Sequence, residues 1–361
     1  MTQSAAQSPK NPGTSPPIAQ VEGAQISALQ TGLLDWYAAN RRDLPWRQTR
    51  DPYRILLAEM MLQQTQVPRV LPRWHAWLER FPTLEALAAA PTADVLREWS
   101  GLGYNSRAVR LQAVARHVVA EYAGIMPRDV PTLLALPGIG EYTARAIACF
   151  AHEQDVPVLD TNVKRVLHRV LLGPDVPKPL VNDRQLWALA ERTVPIGRGY
   201  DWNQGLMDFG SIICTARKPA CLVCPLRPIC RAAPTIGTAL AEQQGARRRA
   251  GRSDAPAAVP FTSTARFFRG QILRALGAQP ANAGLTLDAL GARIKPDYAA
   301  AERPWLHGLV AALHRDGLVT ADPAPARPAA VRDGAAPYMT ENAAPTAQDD
   351  LANVRVTLPH G

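Results

Sequence analysis

The sequence contains no run of 18 or more apolar residues, and its first twenty residues are rich in Ser, Pro and Gln without an apolar stretch. Neither a membrane-spanning helix nor a secretory signal peptide is therefore expected. Cysteine is also scarce, with five residues in 361, and four of the five fall between positions 214 and 230. Such spacing does not suit a disulfide framework and indicates a reducing compartment. We expect a cytoplasmic protein that is not bound to a membrane.

Acidic residues are outnumbered, because 40 Lys and Arg face 31 Asp and Glu and give a formal net charge of +9. The tail from Asp322 onward has fewer arginines than acidic residues, so the positive charge belongs to residues 1–321. This charge suits a polyanionic partner. Many basic proteins bind no nucleic acid, so charge alone leaves the partner open.

Strand-like alternation of apolar and polar residues is absent from about Ile26 to Pro234. Apolar residues recur there at intervals of three and four positions, which predicts about ten helices. Pro91-Thr92 is a typical helix start, and Gly124 is a typical helix end. The predicted fold class is all-α.

We predict four segments along the chain. Residues 1–24 are poor in apolar residues and should be disordered, and residues 25–235 form the helical domain. Residues 236–260 form a basic linker, which suits a solvated tether and a phosphate-contacting arm equally well. Residues 261–361 show three helical patterns, a strand, an Ala/Pro-rich wing or tail and a final strand, which predicts a small winged-helix-like domain. Any small helical domain shows similar periodicity.

The four clustered cysteines follow the pattern C-x6-C-x2-C-x5-C: Cys214, Cys221, Cys224 and Cys230. A thiolate quartet this compact can wrap an iron-sulfur cluster, whereas structural zinc usually takes two separated C-x2-C pairs. Because only one such pair is present, the spacing favours a cluster and leaves zinc open. The fifth cysteine, Cys149, lies on an apolar helix face and is expected in the core.

A glycine-rich turn stands at Leu136-Pro-Gly-Ile-Gly140, directly before a predicted helix. Gly138 and Gly140 allow a tight turn that brings backbone N–H groups against a phosphate at the helix N-terminus. By itself the pentapeptide is a weak signal, since Pro-Gly turns are common. The separation of 20 residues between Gly140 and the acidic residue Asp160 strengthens the interpretation of this turn as a functional motif.

Two carboxylates stand in contexts that suit cleavage of an N-glycosidic bond, which needs one acid for the leaving group and one carboxylate for the sugar cation. Glu59 lies within an otherwise apolar helical segment, and Asp160 follows Val158-Leu159. To donate a proton near neutral pH, Glu59 needs a pKa well above the usual value of about 4.3. Desolvation in a pocket that holds a base can supply that increase.

Six short motifs and the cysteine loop resemble, in order and spacing, the adenine DNA glycosylases of the MutY family, within the helix-hairpin-helix superfamily of endonuclease III. The resemblance covers residues 25–235. The motifs are Leu44–Arg47, Glu59–Thr65, Gly101–Tyr104, Leu136–Gly140, Asp160–Asn162 and Trp202–Gln204.

This resemblance implies a helix-hairpin-helix glycosylase fold with a six-helix barrel and an iron-sulfur helical domain. It implies excision of adenine mispaired with 8-oxoguanine or guanine in base excision repair, by base flipping and acid-assisted hydrolysis. The partner would be double-stranded DNA, and the enzyme a monomer associated with the nucleoid. A [4Fe-4S] cluster would be bound by the four cysteines, and a monovalent cation would bind at the hairpin.

The resemblance also assigns roles to single residues. Glu59 would protonate N7 of adenine, and Asp160 would stabilise the sugar at C1′ and transiently bond to it. Tyr142 and Asn162 would orient these two groups. Gly138 and Gly140 would hold the DNA backbone.

Two further groups of residues would contact the DNA bases. Three residues would line the pocket for the flipped adenine: Trp46, Arg47 and Gln204. Three more would fill or wedge the emptied base stack: Gln63, Gln64 and Tyr104. From the residues alone, Trp46 also suits core packing, Tyr104 a loop anchor and Gln204 a helix surface.

The chain departs from the family pattern in two places. Nothing after Pro234 resembles the MutT-like domain with which typical members inspect 8-oxoguanine, and Asn105 stands where many members have a second tyrosine. Position 142 also carries information, because bifunctional endonuclease III enzymes have a lysine there that forms a Schiff base. Tyr142 therefore predicts a monofunctional enzyme that uses water as the final nucleophile.

Three alternative functions remain open. A thymine or uracil mismatch glycosylase on the same scaffold also lacks the C-terminal reader, although Glu59 and Gln63-Gln64 favour adenine. Tyr142 argues against an endonuclease III-like lyase. A non-enzymatic iron-sulfur DNA-binding regulator would explain the charge and the cysteines, but it leaves Glu59 and Asp160 without a purpose.

Overall fold

The computed structural model describes residues 17–250, 259–280, 283–322, 351 and 354–359. Of the segment predicted to be disordered, residues 1–16 lie outside the described residues. A 3-10 turn at Pro17–Gln20 precedes the first α-helix, which begins at Gly23. Within the described residues, no helix is long and apolar enough to cross a membrane.

Residues 17–250 contain twelve α-helices and no strand. This agrees with the predicted all-α class. The helices are α1 (Gly23–Asn40), α2 (Pro52–Leu62), α3 (Val67–Arg80), α4 (Leu84–Ala89), α5 (Thr92–Glu98), α6 (Ser106–Tyr122), α7 (Val130–Ala135), α8 (Glu141–Phe150), α9 (Thr161–Leu171), α10 (Asp183–Thr193), α11 (Gly199–Ile212) and α12 (Ile236–Ala250).

The chain divides into two compact units. The first unit comprises residues 1–47 and 148–255, and the second unit comprises residues 48–147 and 256–361. In the first unit, α1 and α9 both pack against α11 around fully buried side chains such as Leu33 and Trp202. Leu226 of the cysteine loop is buried in the same core. It approaches α1 at Gly32, where a Cβ would lie 2.9 Å from its side chain.

The second unit buries a group of aromatic side chains behind α2 and α3. The ring of Trp77 is fully buried and meets the edge of Trp99 with ring centroids 5.4 Å apart. Its Nε1 donates to the hydroxyl of Tyr53 over 2.9 Å, so the polar atom of the indole is satisfied inside the core. On α6, the buried Gln112 donates to the backbone oxygens of Leu87 and Ala90, which fixes α4 against α6.

The C-terminal module of the second unit contains three helices and a small antiparallel sheet of order β1-β3-β2, with Ala321 opposite Val356. The three helices agree with the three helical patterns of the sequence, whereas β1 was not expected because two residues carry no alternation. The predicted wing or tail falls largely outside the described residues. The elements are α13 (Ala265–Gly277), β1 (Leu285–Thr286), α14 (Leu287–Ile294), α15 (Arg303–Arg315), β2 (Thr320–Asp322) and β3 (Arg355–Thr357).

The segment predicted as a basic linker begins with a helix, α12, while residues 251–258 lie outside the described residues. Ile236 and Leu240 are buried against Ala232, and this contact anchors the first turns of α12. The remaining residues are mainly Ala, Glu, Gln and Arg, which favour a helix even where packing is absent. The residue types that predicted a solvated tether thus also suit a solvent-exposed helix.

Candidate active site

Glu59 lies on α2 in the second unit and is 6% exposed. The neighbouring residues on the helix, Ala58 and Met60, are also buried. The hydroxyl of Tyr142, at the start of α8, donates to Oε2 of Glu59 over 2.6 Å. The structure therefore joins two of the predicted catalytic residues, 83 positions apart in the chain. This hydrogen bond orients the carboxyl group of Glu59. Because Glu59 is buried, little water surrounds the carboxyl group when a proton is transferred.

Asp160 caps the N-terminus of α9 in the first unit. Its Oδ1 accepts a hydrogen bond of 2.7 Å from the backbone N–H of Val163, and its Oδ2 accepts one of 2.8 Å from the side chain of Asn162. The positive end of the helix dipole also lies at this position. Together these groups favour a negative charge on Asp160 and fix the direction in which it points.

Arg165 holds Asn162 from the other side. One guanidinium nitrogen donates to Oδ1 of Asn162 over 2.8 Å and to the backbone oxygen of Gly210 over 2.6 Å. Gly210 lies so close to this group that a Cβ there would come within 2.7 Å of the Cβ of Asn162. A glycine is therefore required by the close approach of α11 to α9.

The loops that contain Gln64 and Tyr104 share an unusual backbone. Gln64 has φ 56° and Tyr104 has φ 48°, both in the left-handed region that non-glycine residues rarely adopt. The Tyr104 side chain is 41% exposed. Strained backbone conformations of this kind persist only where many surrounding contacts hold them in place. Such conformations are concentrated at functional sites.

Arg107 supplies those surroundings, because its buried guanidinium joins the two loops. It donates to the backbone oxygens of Met60 and Gln63 at 2.7 Å each, and to that of Gly103 at 3.0 Å. The Nε1 of Trp99 also donates to the oxygen of Gly103, over 3.1 Å. Both predicted wedge loops are thus held by one cation.

The three residues predicted to line the base pocket lie in the first unit and are largely buried. Trp46 is 6% and Gln204 is 5% exposed, so Gln204 is not a helix-surface residue. The guanidinium of Arg47 binds the fully buried Asp208 through two hydrogen bonds of 2.7 and 2.8 Å. Within the described residues, Nε of Arg47 is buried without a hydrogen-bond partner. This nitrogen is a donor that a ligand can satisfy.

Asp208 is the counter-charge of this group. Burial raises the pKa of Asp208, but hydrogen bonds and positive charge from Arg47 and then Arg42 outweigh burial and hold the pKa below its usual range. Arg42 contributes a 2.6 Å bond from Nε to Oδ1. The carboxylate thereby fixes both arginines to α11.

The hairpin between α7 and α8 has the geometry that its glycines predict. Gly138 has φ 77°, and a Cβ there would lie 3.2 Å from the side chain of Arg110. Nothing lies within 4 Å of a Cβ placed on Gly140, which precedes the first residue of α8. The turn therefore presents the N-terminal amides of α8 beside an open surface, as backbone binding of a phosphate requires.

The four clustered cysteines line one pocket in the first unit. Arg169, which is 2% exposed, also lines it and places a guanidinium nitrogen 3.9 Å from Sγ of Cys214. Burial raises the pKa of the Cys224 thiol to about 11, so thiolates here need nearby positive charge. Iron ions supply such charge, and the donor set therefore fits an iron-sulfur cluster.

Among the described residues, no three of His, Cys, Asp or Glu converge as the ligands of a single metal ion do. A polynuclear cluster does not need such convergence, because each thiolate binds a different iron. The residues that would hold a cluster are Cys214, Cys221, Cys224 and Cys230.

Sequence patterns did not single out four charged residues that organise these sites, of which Arg165 is partly buried and the other three are buried: Arg107, Arg165, Arg169 and Asp208. Asp208 stands between Met207 and Phe209 in α11 and is a charge within an apolar run, which is the same signal that indicated Glu59. The arginines carried no comparable signal, since an arginine on an amphipathic helix usually faces solvent.

Two family models match the chain. Residues 57–192 match the HhH-GPD superfamily of base excision DNA repair proteins, and residues 214–230 match the iron-sulfur binding domain of endonuclease III. The second match confirms the predicted [4Fe-4S] cluster, and the matched segment contains the four clustered cysteines.

Curated relatives share much of the helical part. The adenine DNA glycosylase of Mycolicibacterium smegmatis is 50% identical over 203 residues, which cover 56% of this chain and 68% of that protein. The adenine DNA glycosylase of Homo sapiens is 45% identical over 219 residues, which cover 58% of this chain and 40% of that protein.

Solved structures show the same fold. A thermostable thymine-DNA glycosylase is 34% identical with a TM-score of 0.56, covering 59% of this chain and 98% of that one. A non-covalent endonuclease III–DNA complex is 22% identical with a TM-score of 0.54, covering 61% of this chain and 100% of that one. The latter likeness concerns the fold alone.

Proposed function

The chain belongs to the adenine DNA glycosylases of the HhH-GPD superfamily of base excision DNA repair proteins, and from this premise we propose that it is a monofunctional enzyme that removes adenine paired with 8-oxoguanine or guanine. The observation that carries the proposal is the 2.6 Å hydrogen bond between Tyr142 and the buried Glu59. Glu59 supplies a carboxyl group in apolar surroundings. Tyr142 supplies a phenol at the position where a lyase would need an amine.

In the proposed reaction, Glu59 gives its proton to N7 of the flipped adenine. The bond between N9 and C1′ then breaks, and its electron pair leaves with the base. Asp160, held by Asn162 and Val163, stabilises the sugar cation that remains. Water adds to C1′ and releases a proton, so the products are free adenine and an abasic site.

Tyr142 has no amine and cannot form a Schiff base with the sugar. Its hydroxyl is engaged with Glu59 instead. The abasic strand should therefore stay intact until alkali or another enzyme cuts it.

For base recognition we propose that the flipped adenine is bound by the group formed by Trp46, Arg47 and Gln204. Their burial supports a water-poor pocket, and the unpartnered Nε of Arg47 supplies a donor. Gln63, Gln64 and Tyr104 would fill the space that the adenine leaves, since two of them stand on strained, rigidly held loops.

The partner is duplex DNA, bound by a monomer. The amides at the start of α8, after Gly138 and Gly140, would hold a phosphate. The iron-sulfur cluster would cross-link the loop of residues 214–230, which carries positive charge on Arg217, Lys218 and Arg227. Affinity should therefore decrease with salt, each phosphate contact contributing about 0.9 to the log-log slope.

The test is single-turnover cleavage of duplexes that carry adenine opposite 8-oxoguanine or guanine, thymine opposite guanine, or 5-hydroxycytosine opposite guanine, each with and without alkali. We expect alkali-dependent cleavage of the two adenine duplexes alone. Glu59→Gln should abolish it, and Tyr142→Phe should slow it by about tenfold, the value of one hydrogen bond to a charged group. Both variants should keep the iron content and melting temperature of the unaltered protein.

A second candidate is removal of thymine opposite guanine, because the thymine-DNA glycosylase structure matches over nearly its whole length at 34% identity. Cleavage of the thymine duplex in preference to both adenine duplexes would establish it. Cleavage of no duplex would favour a DNA-binding regulator.

A further inference from the structure

The exposed ring of Tyr104 lies beside two arginines from different parts of the second unit. The guanidinium carbon of Arg107 on α6 is 5.5 Å from the ring centroid, and that of Arg266 on α13 is 4.3 Å from it. Arg107 is buried and belongs to the loop's own scaffold. Arg266 is exposed and comes from the C-terminal module, 162 positions away in the chain.

The helix that carries Arg266 is fixed against the rest of the second unit near its other end. Arg97 on α5 donates from Nε to the backbone oxygen of Gly277 over 3.2 Å and from Nη2 to that of Gln279 over 3.5 Å. Arg97 is itself bound to Asp94 over 2.7 Å. Because α13 spans about 20 Å, contacts at its two ends define its direction, and Arg266 is not carried on a free tether.

An exposed cation-π contact contributes little to folding, so stability alone is a weak reason for an arginine at this place. A guanidinium that stacks on an aromatic ring still presents its N–H donors at its edge. Those donors match the oxygens of a phosphate group. Arg266 is therefore able to contact Tyr104 and an anionic ligand at the same time.

We propose that Arg266 completes the DNA-wedging site: it positions the ring of Tyr104 and binds the backbone phosphate of the duplex next to the place where that ring enters the base stack. The C-terminal module would thus supply one residue to the DNA-binding surface of the helical part. This inference rests on the proposed function for the nature of the duplex. It gives residues 261–361 a role that does not require a MutT-like reader.

The test measures DNA binding without reaction. The probe is a 30-base-pair duplex with 2′-fluoro-2′-deoxyadenosine, whose glycosidic bond resists cleavage, opposite 8-oxoguanine or guanine, titrated over a range of salt concentrations. Arg266→Ala should weaken binding of both duplexes by about tenfold and lower the log-log salt slope by about 0.9, the value for one lost phosphate contact. Arg266→Lys should restore the slope. In a parallel single-turnover assay on the cleavable adenine duplex it should not restore the rate of excision, because lysine keeps the charge and loses the planar stack.

Arg274→Ala is the matched control. Arg274 is an exposed arginine on the same helix whose guanidinium bonds to Gln271 over 3.0 Å, so the change removes the same charge without touching Tyr104. We expect less than a twofold effect on affinity. Far-UV circular dichroism and melting temperature should be equal among the four proteins.

Equal effects of Arg266→Ala and Arg274→Ala, or no effect of either, would overturn the proposal. An effect confined to the 8-oxoguanine duplex would overturn the phosphate assignment, since it would show a contact to the base. The binding test does not depend on excision. If the unaltered protein released no adenine, the proposed function would be disproved, but the change in salt slope between the unaltered protein and Arg266→Ala would still test the role of Arg266.

Discussion

The guanidinium of Arg165 donates to the backbone oxygen of Cys214 over 2.7 Å. The same side chain donates to Asn162, which in turn donates to Asp160. Two hydrogen-bonded residues thus separate the carboxylate that we expect to stabilise the sugar cation from Cys214, the first of the four cysteines that we expect to hold the iron-sulfur cluster. In the first unit, the cluster loop and the start of α9 are parts of one hydrogen-bonded network.

Replacing Arg165 with methionine should uncouple these two elements. Met is similar in length and lacks donors, so Asn162 and Cys214 each lose a partner, at about 1.5 to 3 kcal/mol for a bond to a charged group. We expect single-turnover excision to slow by about ten- to a hundredfold. Iron content, followed by visible absorbance, should also decrease faster on exposure to a chelator.

Arg184→Met on the exposed surface of α10 is the control, and it should change neither quantity. Full activity of Arg165→Met with an intact cluster would show that Asn162 is positioned without Arg165.

Gly210→Ala should damage the same site by crowding. The new Cβ would lie 2.7 Å from the Cβ of Asn162 and 3.2 Å from its backbone oxygen, and a backbone atom cannot move aside as a flexible side chain can. The N-terminus of α9 must shift, so we expect excision to slow by about a hundredfold or more, since misplacements near 1 Å have effects of that size.

Gly237→Ala on α12 is the matched control for this prediction, because nothing lies within 4 Å of its added Cβ. It should be as active as the unaltered protein and somewhat more stable, since alanine favours a helix over glycine. Equal activity of both variants would contradict the crowding that we infer at Gly210.

The sequence predicted those features that depend on the residues of one short segment. The cysteine spacing favoured a cluster over zinc, and the apolar periodicity predicted three helices in the C-terminal module. Local patterns of this kind follow from backbone geometry and ligand chemistry, which act within a few residues.

The partners of buried charges could not be predicted in the same way. Arg47 and Asp208 are 161 positions apart, and helical periodicity does not tell which helix a charge will meet. The contact between Arg266 and Tyr104 has the same origin, because it depends on how α13 packs on α5. Long-range pairing of this kind is decided by tertiary packing.

Arg107→Met should destabilise the second unit and loosen both wedge loops. The substitution leaves the backbone oxygens of Met60, Met61 and Gln63 without the guanidinium donors they have now, and buried groups without partners are costly. We expect the free energy of unfolding to decrease by about 3 kcal/mol. Urea denaturation followed by circular dichroism measures it.

Arg110→Met, on the exposed side of the same helix, should change the unfolding free energy by less than about 0.5 kcal/mol. A similar loss in both variants would show that α6 responds to any arginine replacement and that Arg107 has no special role.

Asp208→Asn should destabilise the first unit in a manner that depends on pH. Asparagine has the same shape but no charge, so the buried Arg47 loses its counter-charge, which costs about 3 to 5 kcal/mol at neutral pH. The pKa of Asp208 in the folded protein lies below its usual range. The stabilisation from its carboxylate is therefore fully present above the unfolded pKa of about 3.9 and is lost as the pH falls through the lower, folded pKa.

The difference in unfolding free energy between Asp208→Asn and the unaltered protein should accordingly be the same at neutral pH and near pH 5, and should shrink below about pH 4. Urea titrations at these pH values, with visible absorbance to confirm that the cluster is retained, measure the difference directly. Asp183→Asn at the exposed start of α10 is the control and should give a difference near zero throughout. A difference for Asp208→Asn that stays constant into acid would mean that the ion pair with Arg47 does not stabilise the fold, because protonation of Asp208 would then cost nothing.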